Sequence, residues 1–244
     1  MVNEIELMYH RSGQTHFSFM DDNFTFNKER TLTICHEIVK RGLNIQFETP
    51  NGLSMKTLDK EVLDALVEAG LVRVSLAIES GSELIRNRVM GKNLSQEKIY
   101  EVIKLTKSHA QLYVKAFFII GMPEETVHTL EQTYEMIQSI NVDRVYIQNI
   151  LPFPGTSLFK QAVRDGLLVD VDVKRLYEDD GMYITNWKRF FIKPYQLDIE
   201  QLQQFRVRCE ALISQQSQSR HRKIAVEEVT KPEFETSRLV PQSK

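Results

Sequence analysis

Val74-Ser75-Leu76-Ala77-Ile78-Glu79-Ser80-Gly81-Ser82-Glu83 is an apolar strand pattern that runs straight into a turn bearing two carboxylates and two hydroxyls. An α/β protein presents a site in this way, because polar groups that follow a buried parallel strand open onto the carboxyl edge of the sheet. The same event recurs at Phe17-Ser18-Phe19-Met20-Asp21-Asp22-Asn23-Phe24, at Ala116-Phe117-Phe118-Ile119-Ile120-Gly121-Met122-Pro123-Glu124-Glu125, and at Tyr146-Ile147-Gln148-Asn149-Ile150-Leu151-Pro152-Phe153-Pro154-Gly155-Thr156. Four such endings on parallel strands converge on one rim, so the chain reads as a ligand-binding barrel or sheet.

Between these endings the period is helical. Residues 2–11 place Ile5, Leu7 and Met8 on one side and stop at Ser12-Gly13, ahead of an apolar strand over 16–20. Asn27 reads as the N-cap of a helix to Lys40, with Ile34, Cys35, Ile38 and Val39 as its buried stripe and Gly42 as its stop. A strand over 44–48 then ends at Thr49-Pro50-Asn51-Gly52. Asp59 caps a helix through Ala69, Gly70 ends it, and the third strand covers 72–78. Ser95 caps a helix through Lys107 and a strand follows over 112–120. A helix over 126–140 leads to the fifth strand, 143–149, and residues 156–164 are helical with Gly166 as the stop.

One strand end follows the last by roughly 30 residues, the size of a βαβ unit. Helices between consecutive strands make the strands parallel, and right-handed crossovers wind them in sequential order into a curved sheet or barrel. Five strands fall short of the eight of a closed barrel. Either residues 1–168 form a partial barrel, or the sequence begins inside a larger one; in the second case the strand at 16–20 is expected to be an exposed edge apolar enough to invite self-association. Residues 169–213 are expected to form an irregular lid or flank, rich in aromatics without clean period (Tyr177, Tyr183, Trp187, Phe190, Phe191), and then a helix capped by Asp198 that runs to about Ile213. Residues 214–244 are polar and are expected to be a mobile tail.

The bulk properties fit one barrel-sized domain or two small ones. The 244 residues are 42% hydrophobic and 26% charged, with 31 basic against 33 acidic side chains and a formal charge of −2. No overall field favours nucleic acid, and a local basic patch is not excluded by the sum. The longest apolar run, around 114–122, is broken by Lys115 and is too short to span a bilayer, and the N-terminus lacks a signal-peptide core, which places the chain in the cytoplasm. Cys35 and Cys209 sit in separate amphipathic helices, as half-buried reduced thiols do, and the six histidines show no ligand spacing.

Each strand end has a chemistry and a plainer alternative. Asp21-Asp22-Asn23 offers carboxylates to an ammonium group or a metal, or caps the next helix through Asp22 or Asn23. In Glu79-Ser80-Gly81-Ser82 the glycine frees the backbone to turn, the serines can donate to a carboxylate or phosphate, and Glu79 can accept from a pair of sugar hydroxyls; the alternative is a turn with an N-cap. Gly121 lets a flat ligand lie on bare backbone, while Pro123, Glu124 and Glu125 suit a helix start. Leu151-Pro152-Phe153-Pro154-Gly155 makes a rigid turn with apolar walls.

An amine site, a carboxylate site, a diol site and an apolar slot are the parts of an adenosyl amino acid. On the four stretches 17–25, 76–83, 118–126 and 151–158, in this order, the chain resembles the radical S-adenosylmethionine (SAM) enzymes, in particular the branch that often carries an upstream cobalamin-binding domain. The resemblance covers roughly residues 2–168. It implies a partial (β/α)6, TIM-like barrel with SAM across the carboxyl strand ends. It puts Asp21 and Asp22 near the methionine amine, Ser80 and Ser82 near the carboxylate, Glu79 near the ribose, and Gly121, Leu151 and Pro152 near the adenine, with Glu124 supporting the turn beside it.

The family holds a [4Fe-4S] cluster on a Cys-x-x-x-Cys-x-x-Cys loop, and thiolate ligation is what such a cluster needs. This sequence has no such loop, and its first helix resembles the one that follows it. The expectation is thus a fragment of a SAM-cleaving enzyme, starting just past the first strand, inactive alone for want of an electron donor, with cluster and cobalamin belonging to the full-length protein. A cluster-less binding or scaffold module is the alternative. A lyase or aldolase ranks below both, because no Lys, His pair or metal triad sits at a strand end.

Overall fold

Each helix of the central part begins where a side-chain oxygen can take up a free amide. In the computed structural model, which describes residues 1–171 and 189–219, Asn27, Asp59, Ser95, Thr126 and Thr156 each accept from the backbone N–H three residues on. Such a cap contributes about 1 kcal/mol. The elements are α1 (Val2–Ser12), β1 (His16–Ser18), α2 (Lys28–Lys40), β2 (Gln46–Leu53), α3 (Lys60–Glu68), β3 (Leu71–Glu79), a π-helix (Leu84–Val89), α4 (Gln96–Lys107), β4 (Tyr113–Ile120), α5 (Val127–Ser139), β5 (Arg144–Asn149), α6 (Ser157–Arg164) and α7 (Ile199–Ser219).

All neighbouring strands are parallel, in the order β1-β2-β3-β4-β5. Consecutive right-handed crossovers put every intervening helix on the same face of the sheet. On that face Val74 and Leu76 of β3, Val114 and Phe118 of β4, and Ile38, Leu63, Leu66, Val102 and Ile137 of the helices are buried in one core. Each such side chain contributes roughly 1.5–3 kcal/mol through its removal from water. The other face is half open, as the strict alternation of buried and partly exposed residues along β4 records.

The two edges differ. Beyond β5, α7 lays Leu202, Phe205 and Cys209 into the core, and Arg206 donates to Asn149 Oδ1 (2.7 Å) and to the Ile147 carbonyl (3.2 Å) of β5. At the opposite side β1 is an edge strand of three residues, two shorter than the stretch expected. The fold is α/β, a five-stranded parallel sheet of the TIM-like barrel type with a helical C-terminal region. Among the described residues no helix is long and apolar enough to cross a membrane.

Three features depart from the sequence expectation. The strand expected to stop at Glu48 resumes after a bulge: pairing with β3 slips between Thr49 and Leu53, Gly52 takes φ 91°, and Leu53 pairs with Leu76. Pro50 is tolerated there because a bulge requires no ladder amide from it. The π-helix after β3 has no counterpart in the sequence reading. Finally α7 runs to Ser219, so residues 214–219, assigned to the tail, are helical; the remainder of the tail lies outside the described residues, as do Tyr177, Tyr183 and Trp187. Phe190 and Phe191 are buried, and residues 167–169 pair with 191–193 in antiparallel fashion around Leu168 and Ile192.

Candidate functional site

The turn that ends β3 is built on Glu79, not on the glycine. Glu79 has φ 70°, and the Ser80 N–H returns to the Ile78 carbonyl at 3.0 Å, closing a three-residue turn of a rare, strained form. A bulky residue in this region costs about 1–3 kcal/mol, strain that clusters at functional sites. The Glu79 carboxylate is nearly buried and meets Lys92 Nζ at 2.6 Å, with the Lys92 side chain 39% exposed. Gly81 has another purpose. A Cβ there would lie 2.3 Å from the Gln132 carbonyl oxygen and 2.5 Å from Thr133 Cα of α5, so its bare backbone lets the turn and that helix touch.

A clamp holds Lys92 in place. Arg86 of the π-helix is fully buried and donates through Nε to the Leu94 carbonyl (2.7 Å) and through Nη1 to the Ser80 carbonyl (2.7 Å). Burial lowers its pKa. Asn87 Oδ1 accepts from the Leu94 amide (2.7 Å) and its Nδ2 donates to the Leu94 carbonyl (3.2 Å). Residues 90–94 are thereby folded back over the end of β3.

The two serines of this turn part company. Ser80 Oγ accepts from the Ser82 amide (3.1 Å) and lies 3.3 Å from Thr133 Oγ1, while the Gly81 amide donates to Thr133 Oγ1 (3.1 Å). Ser80 therefore ties the turn to α5. Ser82 Oγ is buried with no partner.

After β1, Asp21 Oδ1 accepts from the Asn23 amide (2.9 Å) and Oδ2 from Arg30 (3.0 Å). That amide first, and then Arg30, hold its carboxyl below the usual carboxylate range. Asp22 is exposed. Neither Asp22 nor Asn23 caps the next helix; Asn27 does, which removes the plainer alternative for this stretch.

After β4, Gly121 has φ 98°, and a Cβ on it would come to 3.3 Å from Ile150 Cγ2 and 3.7 Å from Phe190. Its amide donates to Glu125 Oε2 at 2.5 Å. Glu125 is wholly buried, and burial pushes its carboxyl up to about 8 against the pull of the Gly121 and Met122 amides. The turn is thus supported by Glu125, where Glu124 was expected; Glu124 instead accepts from Gln161 of α6 (2.7 Å). Leu151 and Pro152 are buried beside this turn, and Phe153 next to them is half exposed.

Among the described residues, the buried side-chain polar atoms without a partner are Asn23 Oδ1, Thr49 Oγ1, Ser82 Oγ, Arg86 Nη2, Glu124 Oε2 and Glu125 Oε1. All belong to β2 or to the segments that follow β1, β3 and β4. Buried polar groups are normally paired, so unmet donors and acceptors gathered at one end of a sheet fit a polar ligand carried there. A match to the model of the radical SAM superfamily extends over residues 1–137, more than half the chain.

The chain belongs to the radical SAM superfamily. It is 28% identical over 175 residues to an uncharacterized methyltransferase of Pyrococcus horikoshii, covering 72% of this chain and 37% of that protein. It is 32% identical over 167 residues to the anaerobic magnesium-protoporphyrin IX monomethyl ester cyclase of Cereibacter sphaeroides, covering 68% and 27%. Among solved structures it resembles the radical SAM methyltransferase TsrM of Kitasatospora setae, with cobalamin and a [4Fe-4S] cluster bound, at a TM-score of 0.55 and 17% identity over 62% of this chain and 31% of that one. The chain spans about a third of the length of the curated relatives it matches.

Three residues of the candidate site escaped sequence reasoning. Lys92 lies 13 positions from Glu79 across an irregular loop, and no spacing rule pairs them. Arg86 resembles any solvated helical arginine in sequence, and Glu125 is one of two adjacent glutamates at a helix start. Cys35 and Cys209, expected half-buried, are fully buried, and burial pushes their thiols up to about 12. Among the described residues no group of three His, Cys, Asp or Glu is placed to hold a metal ion.

Proposed function

We propose that this chain is the SAM-binding core of a radical SAM enzyme of the methyltransferase or cyclase type. In that chemistry a [4Fe-4S] cluster supplies the electron that cleaves SAM to a 5′-deoxyadenosyl radical. Cys35 and Cys209 are the chain's two cysteines, buried in separate helices, so three thiolate ligands would have to come from sequence outside these 244 residues. Cobalamin belongs to the proposal only through the likeness to TsrM.

The chain's own residues have distinct tasks in this proposal. Glu79 accepts hydrogen bonds from the ribose diol, its orientation fixed by the strained turn and by Lys92. Lys92 is also the cation within reach of a ligand carboxylate, with Ser82 Oγ as a neutral donor nearby. Gly121, Leu151 and Pro152 form an apolar shelf for the adenine, held flat because Glu125 fixes the Gly121 amide. Asp21 and Asp22 stand on the side of the methionine amine. What carries the proposal is Glu79: a nearly buried carboxylate, in strained backbone at the carboxyl end of the central strand, with a counter-ion on a partly exposed side chain.

Calorimetric titration with SAM and with 5′-deoxyadenosine tests it. A charge-assisted hydrogen bond contributes about 1.5–3 kcal/mol, so Glu79→Gln should weaken both ligands by roughly ten- to a hundredfold. If Glu79→Gln binds both as the parent does and only melts earlier, Glu79 is a turn residue and the site assignment fails.

A further inference from the structure

Glu124 has no task in the adenosyl site proposed above, and one of its oxygens is left over. Oε1 accepts from Gln161 Nε2 at 2.7 Å, whereas Oε2 is buried and has no partner. The carboxylate is set by neighbours on two segments. Gln161 belongs to α6, and its Nε2 also donates to the Tyr195 hydroxyl (3.1 Å); that hydroxyl donates to Asp165, and the Tyr195 amide donates to the Pro123 carbonyl (2.9 Å). Glu124 therefore joins the turn after β4, which carries Gly121, to the helix that follows Leu151 and Pro152. By taking Oε1, Gln161 leaves Oε2 as the free acceptor. A buried carboxylate oxygen that has given up water without gaining a donor is held at a cost, and only an N–H or O–H group relieves it.

The shelf formed by Gly121, Leu151 and Pro152 meets the flat side of a base, and that side is much the same in every purine. What distinguishes adenine lies in the ring plane, in the N–H bonds of its exocyclic amine. We infer that Glu124 Oε2 accepts one of these N–H bonds, so that Glu124 selects a 6-aminopurine from other purines. The inference rests on the proposed adenosyl site and adds to it the residue that reads the edge of the base.

The test is a calorimetric titration of the 244-residue chain with 5′-deoxyadenosine and with its analogue that carries hydrogen in place of the 6-amino group. The analogue stacks in the same way and lacks the donor, so the parent should bind it roughly ten- to a hundredfold more weakly. Glu124→Gln should bring the ratio close to one, because the variant's amide oxygen turns to Gln161 and its NH2 faces the base. If that variant fails to fold by circular dichroism, Glu124→Asp, which keeps the charge and shortens the reach, carries the same expectation. A Glu124 that serves only to tie the turn to α6 makes a different forecast: the variant melts earlier and the ratio stays as in the parent. That result, or equal affinity of the parent for the two nucleosides, overturns the inference and leaves the adenosyl site standing. Failure of the parent to bind either nucleoside removes the adenosyl site and the inference with it.

Discussion

Glu79 is the residue on which the proposed site rests. Its left-handed backbone would suit glycine, and its carboxylate sits nearly buried against a single lysine. Glu79→Gly should therefore melt no lower than the parent, or about 1 kcal/mol higher, while binding of SAM is abolished; a lower Tm with binding intact would mean that the carboxylate serves stability. Lys92→Ala should weaken SAM more than 5′-deoxyadenosine, because only the former carries a carboxylate, and calorimetry on both separates the effects. Glu125 makes a pH forecast. Its folded pKa of about 8 lies above its unfolded value, so its contribution to stability is complete below that unfolded value and is lost as pH rises toward 8. Melting curves between about pH 5 and 8.5 should show the parent losing ground to Glu125→Gln as pH rises; parallel curves would refute it. The placement of Glu79 and Gly121 at strand ends was legible from the apolar runs that precede them. Their partners were not, since Lys92 and Glu125 gain meaning from loop paths that no periodicity encodes.

Elements with a period were read well and elements that interrupt one were not. The caps at Asn27, Asp59 and Ser95 stand where the sequence puts them, because capping is a contact within four residues; Thr126 and Thr156, read as the first residues of helices, prove to be caps as well. The bulge in β2 and the π-helix depend on neighbours: Pro50-Asn51-Gly52 reads locally as a turn, and only pairing of Leu53 with Leu76 makes it part of a strand. Likewise the contact between Ser80 and Thr133 of α5 is not legible from the sequence around Ser80. Two glycines test this distinction. Gly81→Ala should cost about 3 kcal/mol in urea unfolding, because its Cβ meets helix backbone that cannot yield. Gly91→Ala, at φ 69° with nothing within 4 Å, should cost about 1 kcal/mol for its backbone alone. Equal costs would show that α5 moves freely against the turn.

The sheet as a whole has one edge met by α7 and one edge, β1, with no strand beyond it. Beside β1 lies a 350 Å³ groove lined by Met8, Phe17, Phe19 and Met20 among others. An edge with apolar surroundings is a template for pairing, and we expect concentration-dependent self-association in sedimentation velocity, suppressed by Ser18→Lys; a monomer at all concentrations would count against it. Anaerobic reconstitution of this chain should yield no stoichiometric four-iron cluster, as iron and sulfide analysis can check. Gly81 has a larger consequence. Repeated βα units invite the thought that such folds can be recombined one unit at a time, each strand travelling with its own helix. Here the turn that ends β3 rests on α5, which belongs to the β4 unit, through the Gly81 amide and Thr133. A chimaera that imported β3 and its turn into a foreign barrel would leave Glu79 unsupported. The smallest heritable piece of this site is therefore two units long, running from β3 through α5.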